Sequence, residues 1–266
     1  MANSPPKILV FDSGVGGISI LQKVQQQLPW CEYIYASDNR AFPYGTKDES
    51  ELVARVDLVL KVLTEKINPD IVIIACNTAS TVALPKIRSH FQKPVVGVVP
   101  AIKPAAQISS SKVIGLLATP GTIDRPYTQW LIDDFAPTCQ VIKAGSSRLV
   151  EIAEEKIRGK APDLEELRNI IAPLFTTPEL DTVVLACTHF PLLGEELASV
   201  TPRAIQWVDS GDAIARRVAS LISTAPADAA HPEGFDYFLT ANAGVTANLV
   251  SGLKNFGARE IRSLEI

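Results

Sequence analysis

The amino-acid sequence predicts an α/β protein composed of two similar halves with mainly parallel sheets. Two observations lead to this prediction: short β-branched segments alternate with longer amphipathic segments, and two short sequence patterns each occur twice. Continuously apolar strands that alternate with helices are typical of parallel sheets covered by helices on both faces, which is a three-layer arrangement. In such folds, ligands bind at the carboxyl ends of the strands.

Nine short apolar segments are predicted as strands. They are Ile8 to Phe11, Tyr33 to Ala36, Ile71 to Ala75, Val95 to Val98, Val113 to Ala118, Val141 to Lys143, Val183 to Ala186, Ala204 to Val208 and Tyr237 to Thr240. Helical patterns lie between several of them, for example Glu51 to Lys66, where Leu52, Val56, Val59 and Leu63 share one face. The segment Ser223 to Pro232 is predicted to be a loop.

Two internal repeats indicate that the halves share one architecture. Residues Ile73 to Thr78 resemble Val184 to His189, and Ile8 to Gly14 resemble Ile114 to Pro120. The separation along the chain is nearly the same for the two pairs. Chance similarity between short segments rich in Ala and Val is the alternative interpretation.

Composition excludes several classes of function. The formal net charge of -4, with both signs interspersed, gives no clustered basic face for nucleic acid. No apolar segment approaches the roughly 20 residues that a membrane-spanning helix needs. The apolar part of the segment before the first helix is too short for a signal peptide. We therefore expect a cytoplasmic protein.

The chain has four cysteines, and two of them stand out by their position. Cys31 and Cys139 are interpreted as small buried hydrophobic residues, and none of the four has the spacing of a zinc site, so no metal is predicted. Cys76 and Cys187 each follow an apolar strand and precede a predicted helix, where backbone N–H groups and the helix dipole stabilise a thiolate. If the halves face each other, the two sulfurs approach one cleft from opposite sides. A thiolate and a thiol in this arrangement can remove a proton from one face of a stereocentre and return one to the other.

Polar residues follow both cysteines. Asn77 and Thr78 follow the first, and Thr188 and His189 follow the second, where they can hold a carboxylate and stabilise charge that develops on it. The alternative is that they are ordinary helix N-caps.

Two further loops follow predicted strands. Asp12 and Ser13 open the turn Gly14 to Gly17, which matches neither the dinucleotide fingerprint nor a phosphate-binding loop. Asp12 is interpreted either as the cap of this turn or as a group that binds an ammonium or assists a thiol. Tyr44 and the Gly45 amide are expected to reach the same cleft. His90 and His231 are expected to be exposed and uninvolved.

Five segments resemble the glutamate racemases, a family within the aspartate/glutamate racemase superfamily. They are Phe11 to Gly17, Pro43 to Gly45, Ala75 to Ala79, Ala186 to Leu193 and Val208 to Gly211. The segments span most of the chain in the family's order. The Asp-Ser-Gly-Val-Gly-Gly and Pro-Tyr-Gly segments are more similar to the glutamate-specific branch than to aspartate racemases or maleate isomerases.

The resemblance implies two pseudo-symmetric three-layer α/β domains with the active site at the domain interface. Residues 1–98 plus about 209–266 would form the first domain, and about 99–208 the second. Cys76 and Cys187 would alternate as acid and base, assisted by Asp12 and His189 respectively. The substrate contacts carried over by position are Asp12, Ser13, Tyr44, Gly45, Asn77, Thr78, Thr188 and His189, with Thr119 and Thr122 nearby.

The resemblance also implies the reaction, which is the interconversion of L-glutamate and D-glutamate without a cofactor, to supply D-glutamate for peptidoglycan. A homodimer is expected. Because only Met1 to Lys7 precede the first strand, we expect no long extension of the kind associated with activation by a cell-wall precursor. One segment departs from the family pattern, with Glu151 where proline is expected, which leaves a catalytic role for Glu154 open.

Other functions remain open at this point. The same scaffold supports aspartate racemisation, maleate isomerisation or decarboxylation, although a decarboxylase needs only one of the two cysteines. A non-catalytic protein with two lobes that close on an amino acid would not need the thiols. Pyridoxal-phosphate chemistry would require a lysine in the cleft, and no motif of this sequence supplies one.

Overall fold

The computed structural model describes residues 4–222, 232–264 and 266. Within these residues, no helix is both long and apolar enough to cross a bilayer. Most of the predicted loop at 223–232, including His231, lies outside the described residues.

In the described residues, ten strands form two sheets. In chain order they are β1 Lys7–Asp12, β2 Glu32–Ser37, β3 Ile71–Ile74, β4 Val95–Gly97, β5 Val113–Ala118, β6 Gln140–Gly145, β7 Thr182–Leu185, β8 Gln206–Val208, β9 Phe235–Leu239 and β10 Ala258–Ser263. Nine of them correspond to the nine predicted segments. The tenth, β10, was not predicted.

Helices connect the strands. They are α1 Ile18–Gln27, α2 Glu49–Ile67, α3 Asn77–His90, α4 Ile102–Ile108, α5 Pro120–Ile123, α6 Pro126–Phe135, α7 Arg148–Ile157, α8 Leu164–Ile171, α9 Gly194–Val200, α10 Gly211–Ala219 and α11 Ala247–Asn255. Short 3-10 helices occur at Tyr44–Thr46, Ala172–Thr176 and Phe190–Leu193.

The two sheets repeat one strand order. The first sheet runs β10-β9-β2-β1-β3-β4 and the second runs β6-β5-β7-β8, so β5 to β8 occupy the places that β1 to β4 occupy in the first sheet. Every strand pair in both sheets is parallel. The predicted α/β class with mainly parallel sheets is confirmed, and both sequence repeats fall on equivalent strands, β1 with β5 and β3 with β7.

Side chains of each strand alternate between two apolar layers, as a parallel sheet covered on both faces requires. In β1, Ile8 and Val10 pack with α1, α10 and α11, whereas Leu9 and Phe11 pack with α2 and α3. The second sheet is covered by α7, α8 and α9 on one face and by α4 and α6 on the other. Each sheet with its helices is therefore a three-layer unit, called the first lobe and the second lobe below.

Helix α2 illustrates how local sequence defines an element. Asp48 accepts hydrogen bonds from the amides of Ser50 and Glu51 at its start, and Asn68 adopts the left-handed conformation at its end. Its buried residues are Leu52, Val56, Val59, Leu60 and Leu63, which include the four predicted from periodicity.

Two chain segments connect the lobes, one between β4 and α4 and the other between β8 and α10. They touch each other, because the Ser210 hydroxyl donates to the Val99 carbonyl at 2.6 Å. The first sheet takes its strands from residues 7–97 and 235–263, and the second from residues 113–208. The domain boundaries at 98/99 and about 208/209 stay a prediction.

Candidate active site

The carboxyl ends of four central strands bring the predicted residues together. Asp12 ends β1, Cys76 follows β3, Thr119 follows β5 and Cys187 follows β7. Because neighbouring strands are parallel, each pair lies at one edge of its sheet, and the two edges face each other across a cavity of about 160 Å³. This volume is below the roughly 300 Å³ at which pockets for drug-sized ligands begin, so it suits a ligand of few atoms.

Every site residue predicted from the sequence lines this one cavity. These residues are Asp12, Ser13, Tyr44, Gly45, Cys76, Asn77, Thr78, Thr119, Thr122, Cys187, Thr188 and His189. Sequence reasoning did not assign Phe42, Pro43, Thr46, Ser147, Val150, Glu151 or Ala186 to the site, although they line it as well.

The sulfur of Cys76 lies at the start of α3, for which Cys76 is the N-cap residue. The Ala79 amide, which lowers the pKa of Cys76, and the Asp12 carboxyl, which raises it, lie beside this sulfur. Burial raises the pKa of Cys76 well above its usual value, and the negative charge of Asp12 raises it further. These contacts hold Cys76 as a thiol when Asp12 is ionised.

The carboxylate of Asp12 organises the glycine turn as well as the thiol. Its two oxygens accept from the Ser13 amide at 2.7 Å and the Gly17 amide at 2.8 Å. The side chain is fully buried, and burial raises the pKa of Asp12 even though the charge of His189 and the two amides act in the opposite direction. Asp12 therefore supports the glycine turn, and its role in binding an ammonium or assisting a thiol stays a prediction.

Cys187 has a different partner. Its sulfur lies 3.9 Å from Nδ1 of His189, whose Nε2 lies 3.1 Å from Oε1 of Glu154. Burial alone would lower the pKa of His189, but Cys187 and Glu154 raise it well above its usual value. The imidazole is thus held as a cation beside the sulfur of Cys187.

Glu154, whose role the sequence left open, holds the imidazole of His189 in place. Besides His189, its carboxylate accepts from the Val15 amide at 2.9 Å and from the Arg158 guanidinium at 2.7 Å. Burial opposes ionisation, yet His189, Arg158 and the Val15 amide lower the pKa of Glu154 to about 2. Val15 belongs to the first lobe and Glu154 to the second, so this carboxylate also joins the lobes.

The glycine turn leaves room for the imidazole. A Cβ atom at Gly16 would lie 2.3 Å from Nδ1 of His189, closer than any real contact allows. The lobes also meet where the Ser19 hydroxyl donates to the Thr188 carbonyl at 2.8 Å. The close approach of the glycine turn to the segment after Cys187 therefore depends on the missing side chain at Gly16.

Two features of the cavity wall point to a polar ligand. Oδ1 of Asn77 is buried and has no hydrogen-bond partner among the described residues, although buried acceptors are normally paired. On the opposite wall, the Thr119 and Thr122 hydroxyls lie 3.0 Å apart.

Asp38 is a buried residue near the site that sequence reasoning missed. Its carboxylate accepts from the Arg55 guanidinium at 2.6 and 2.9 Å, from the Tyr44 hydroxyl at 2.7 Å and from the Thr240 hydroxyl at 2.6 Å. Burial would raise its pKa, but Arg55, Thr240 and Tyr44 lower it below the usual value. Tyr44 thus contributes its ring to the cavity wall, while its hydroxyl is fixed to Asp38.

We expect Asp38→Asn to lower the free energy of unfolding by about 3–5 kcal/mol, because it leaves the Arg55 cation without its buried partner. Since folding lowers the pKa of Asp38, its contribution is present above the unfolded pKa of roughly 3.9 and is lost as pH falls through the folded value. Urea unfolding at pH 7 and between pH 5 and 3 measures both effects. Asp57→Asn, which breaks a more exposed pair with His90 and Lys86, serves as the control and should cost less than about 1 kcal/mol.

The structure corrects two interpretations of the sequence and confirms a third. Cys187 does not start an α-helix, because the next element is the 3-10 helix Phe190–Leu193. The alternative of simple N-caps is wrong for Asn77 and Thr78, which are the first two residues of α3. His90 is exposed at the end of α3 and pairs with Asp57, so the prediction of an uninvolved surface histidine is confirmed.

A larger and more open cavity of about 600 Å³ lies elsewhere, between the end of α7, the start of α9 and α11. It contains none of the predicted site residues. Within the described part of the chain, no group of three or more His, Cys, Asp and Glu side chains could hold a metal ion. The thiol-lined cavity is therefore the candidate active site, despite its smaller size.

Comparison with known proteins identifies the family. Residues 9–218 match the family described as Asp/Glu/Hydantoin racemase. The chain is 48% identical over 262 residues to the glutamate racemase of Klebsiella pneumoniae (strain 342), covering 98% of this chain and 93% of that one. It is 49% identical over 267 residues to the glutamate racemase of Serratia proteamaculans (strain 568), covering 100% and 93%.

A solved structure agrees along the whole chain. Escherichia coli glutamate racemase, in complex with L-glutamate and the activator UDP-MurNAc-Ala, superposes with a TM-score of 0.92 at 46% identity and covers 98% of both chains. The resemblance inferred from the sequence motifs is thereby confirmed, and this chain belongs to the Asp/Glu/hydantoin racemase family.

Proposed function

We propose that the protein is a cofactor-independent glutamate racemase, which interconverts L-glutamate and D-glutamate by two-cysteine proton transfer. The observation that carries this proposal is the placement of Cys76 and Cys187 after equivalent strands of two like sheets, lining one small cavity. The relatives that match along the full chain are glutamate racemases, which supports glutamate as the substrate.

In the proposed reaction, one proton is removed from the α-carbon of the substrate and another is added to it. A thiolate takes the α-proton from one face of the substrate, and the electron pair of the C–H bond remains on a planar carbanion whose charge extends onto the carboxylate. The thiol on the other face then donates its proton to the same carbon, so the stereocentre inverts and the thiolate now lies on the opposite side. The reverse direction starts from that state.

The unequal surroundings of the two sulfurs support this mechanism. Cys76 is held as a thiol by burial and by Asp12, and the His189 cation lies beside Cys187. One thiol and one thiolate are the combination with which a two-base reaction begins. We propose that Asp12 assists Cys76 and that His189 assists Cys187 as the two sulfurs exchange the roles of acid and base.

Several cavity residues are proposed to hold the substrate. The unpaired Oδ1 of Asn77 can accept from the α-ammonium, with Asp12 nearby as a second acceptor. The hydroxyls of Ser13, Thr78 and Thr188 and the Gly45 amide can bind the carboxylates, and donors at this place stabilise the charge that develops during proton removal. Tyr44 closes the wall.

The family resemblance supports a role in supplying D-glutamate for peptidoglycan. It also supports a location in the cytoplasm. It also supports a homodimer. Light scattering coupled to gel filtration tests the dimer, with twice the 28.7 kDa chain mass expected. A mass of one chain at all concentrations would reject it.

Circular dichroism of L-glutamate tests the proposed function. The purified protein is incubated with reductant and without added cofactor, and the assay is repeated with D-glutamate and with L-aspartate. Decay of both glutamate signals to zero is expected. If only the aspartate signal decays, the mechanism stands and the substrate is wrong. Absence of turnover on all three, with binding that survives Cys76→Ser and Cys187→Ser, would favour a non-catalytic amino-acid-binding protein.

A further inference from the structure

We propose that Arg125 is a positioning residue that keeps the two lobes closed over the cavity by fastening the first turn of α3 to the second lobe. This inference rests on the proposed function and extends it to a residue outside the cavity wall. Arg125 immediately precedes α6 in the second lobe, and α3 belongs to the first.

The guanidinium of Arg125 reaches across the boundary between the lobes. Its Nη1 atom donates to the Thr78 carbonyl at 2.9 Å and to the Thr81 hydroxyl at 2.8 Å. Hydrogen bonds from a charged donor are shorter and stronger than neutral ones. Thr78 and Thr81 lie in the first two turns of α3, so both contacts act on the helix start rather than on a flexible loop.

Both ends of this contact are connected to the site. On the first lobe, the helix start carries Cys76 and Asn77, which line the cavity. On the second lobe, the segment that leads to Arg125 contains Thr119 and Thr122, which line the opposite wall. Arg125 therefore links the two walls from outside the cavity, and its loss would change how they face each other.

The packing around this contact is that of closed lobes. A Cβ atom at Gly121 would lie 2.8 Å from the Gly45 carbonyl oxygen, so α5 of the second lobe rests directly on the 3-10 helix Tyr44–Thr46 of the first. Arg125 is partly buried here. Burial lowers the pKa of Arg125 from its usual value, while the negative charge of Glu49 acts in the opposite direction. The contact thus joins surfaces that exclude much of the solvent.

The cavity lies between the two lobes, so a contact that joins them favours the closed state, in which both walls face the substrate. If Arg125 favours the closed state, its removal lowers the fraction of the protein that is competent to bind. The apparent affinity falls by that fraction, whereas the chemical step in the closed complex is preserved. A residue needed only for folding would instead lower the melting temperature without a selective change in KM.

The first test compares Arg125→Met with the parent protein by steady-state kinetics in both directions. We expect KM to rise about tenfold for both enantiomers, with kcat changed less than about threefold. Arg125→Lys, which keeps the charge and one donor, should give an intermediate KM. The matched control is Arg203→Met, because Arg203 also donates to two backbone carbonyls, those of Thr177 and Leu180, but within one lobe. Its KM should equal that of the parent.

The variant Thr81→Val tests the hydrogen-bond partner of Arg125. It removes the hydroxyl that accepts from Arg125, so its effect on log KM should largely disappear in the double variant with Arg125→Met. Additive effects, an unchanged KM in Arg125→Met, or a loss of kcat with unchanged KM would each overturn the proposal.

Hydrogen exchange provides a readout that does not require turnover. In the absence of substrate, amides in peptides that cover 77–84 should exchange faster in Arg125→Met than in the parent and in Arg203→Met. Unchanged exchange rejects the contact whatever the activity. Faster exchange in a protein without racemase activity would reject the proposed function while retaining the contact.

Discussion

Cys76→Ser and Cys187→Ser are each expected to reduce racemisation by a factor of about 10³ or more in both directions. A serine hydroxyl has nearly the same shape as the thiol, but it is far too weak an acid to supply an alkoxide base near neutral pH. In the proposed mechanism every turnover uses both groups, one as base and one as acid, so loss of either group should stop both directions.

Equilibrium thermodynamics adds an internal check to the kinetics of these variants. The two products are mirror images, so the equilibrium constant is one and kcat/KM must be equal for L-glutamate and D-glutamate in every variant. Incubation in deuterated solvent distinguishes the two sulfurs. A variant that keeps one thiol should exchange the α-hydrogen of one enantiomer without inverting it, and the other variant should act on the opposite enantiomer.

Cys139→Ser is the control, because Cys139 is a free cysteine of the second lobe that does not line the cavity. It should retain parental kcat/KM. Racemisation within tenfold of the parent in either cavity variant would contradict the two-cysteine mechanism. Identical exchange of both enantiomers by one variant would contradict the assignment of one sulfur to each face.

Glu154→Gln should lower kcat/KM by about 10²-fold at alkaline pH, with a smaller loss near neutral pH. The amide retains an oxygen for the Val15 N–H but removes the negative charge that helps to raise the pKa of His189. His189 then loses its proton at lower pH, so the alkaline decline of the pH profile should move downward. Profiles of kcat/KM from pH 6 to 10 measure this shift.

Glu155→Gln is the matched control for this experiment. Glu155 is the next residue of α7 and its pKa is also about 2, but Arg148 and Lys160 lower it and no contact joins it to His189. The control should retain the parental profile. A profile of Glu154→Gln that superposes on that of the parent would show that Glu154 does not maintain the charge of His189.

Sequence patterns predicted the strands and the site residues where the signal is local. Strands β1, β3, β5 and β7 are buried on both faces, so each contains a continuous apolar run with its site residue at or just beyond the carboxyl end of the strand. Strand β10 is different. It is an edge strand, and Arg259, Glu260 and Arg262 leave it without an apolar run.

Residues whose role depends on a distant partner were not predictable in this way. Glu154 is separated by 139 positions from Val15, and Asp38 by 202 positions from Thr240. Arg125 resembles any surface arginine until the lobes are assembled. Periodicity and motif spacing describe neighbours along one element, whereas these contacts arise only from the packing of elements that are remote in the chain.

The repeated strand order has a consequence for the chemistry of inversion. A symmetric assembly of two identical half-length chains would carry the same residue at both equivalent positions, and each sulfur would have the same neighbours. In one continuous chain the halves are free to diverge, and here a carboxylate accompanies one sulfur and an imidazolium the other. Covalent fusion of the halves thereby permits two chemically different neighbours for the two sulfurs, an arrangement that a symmetric pair of identical subunits could not have.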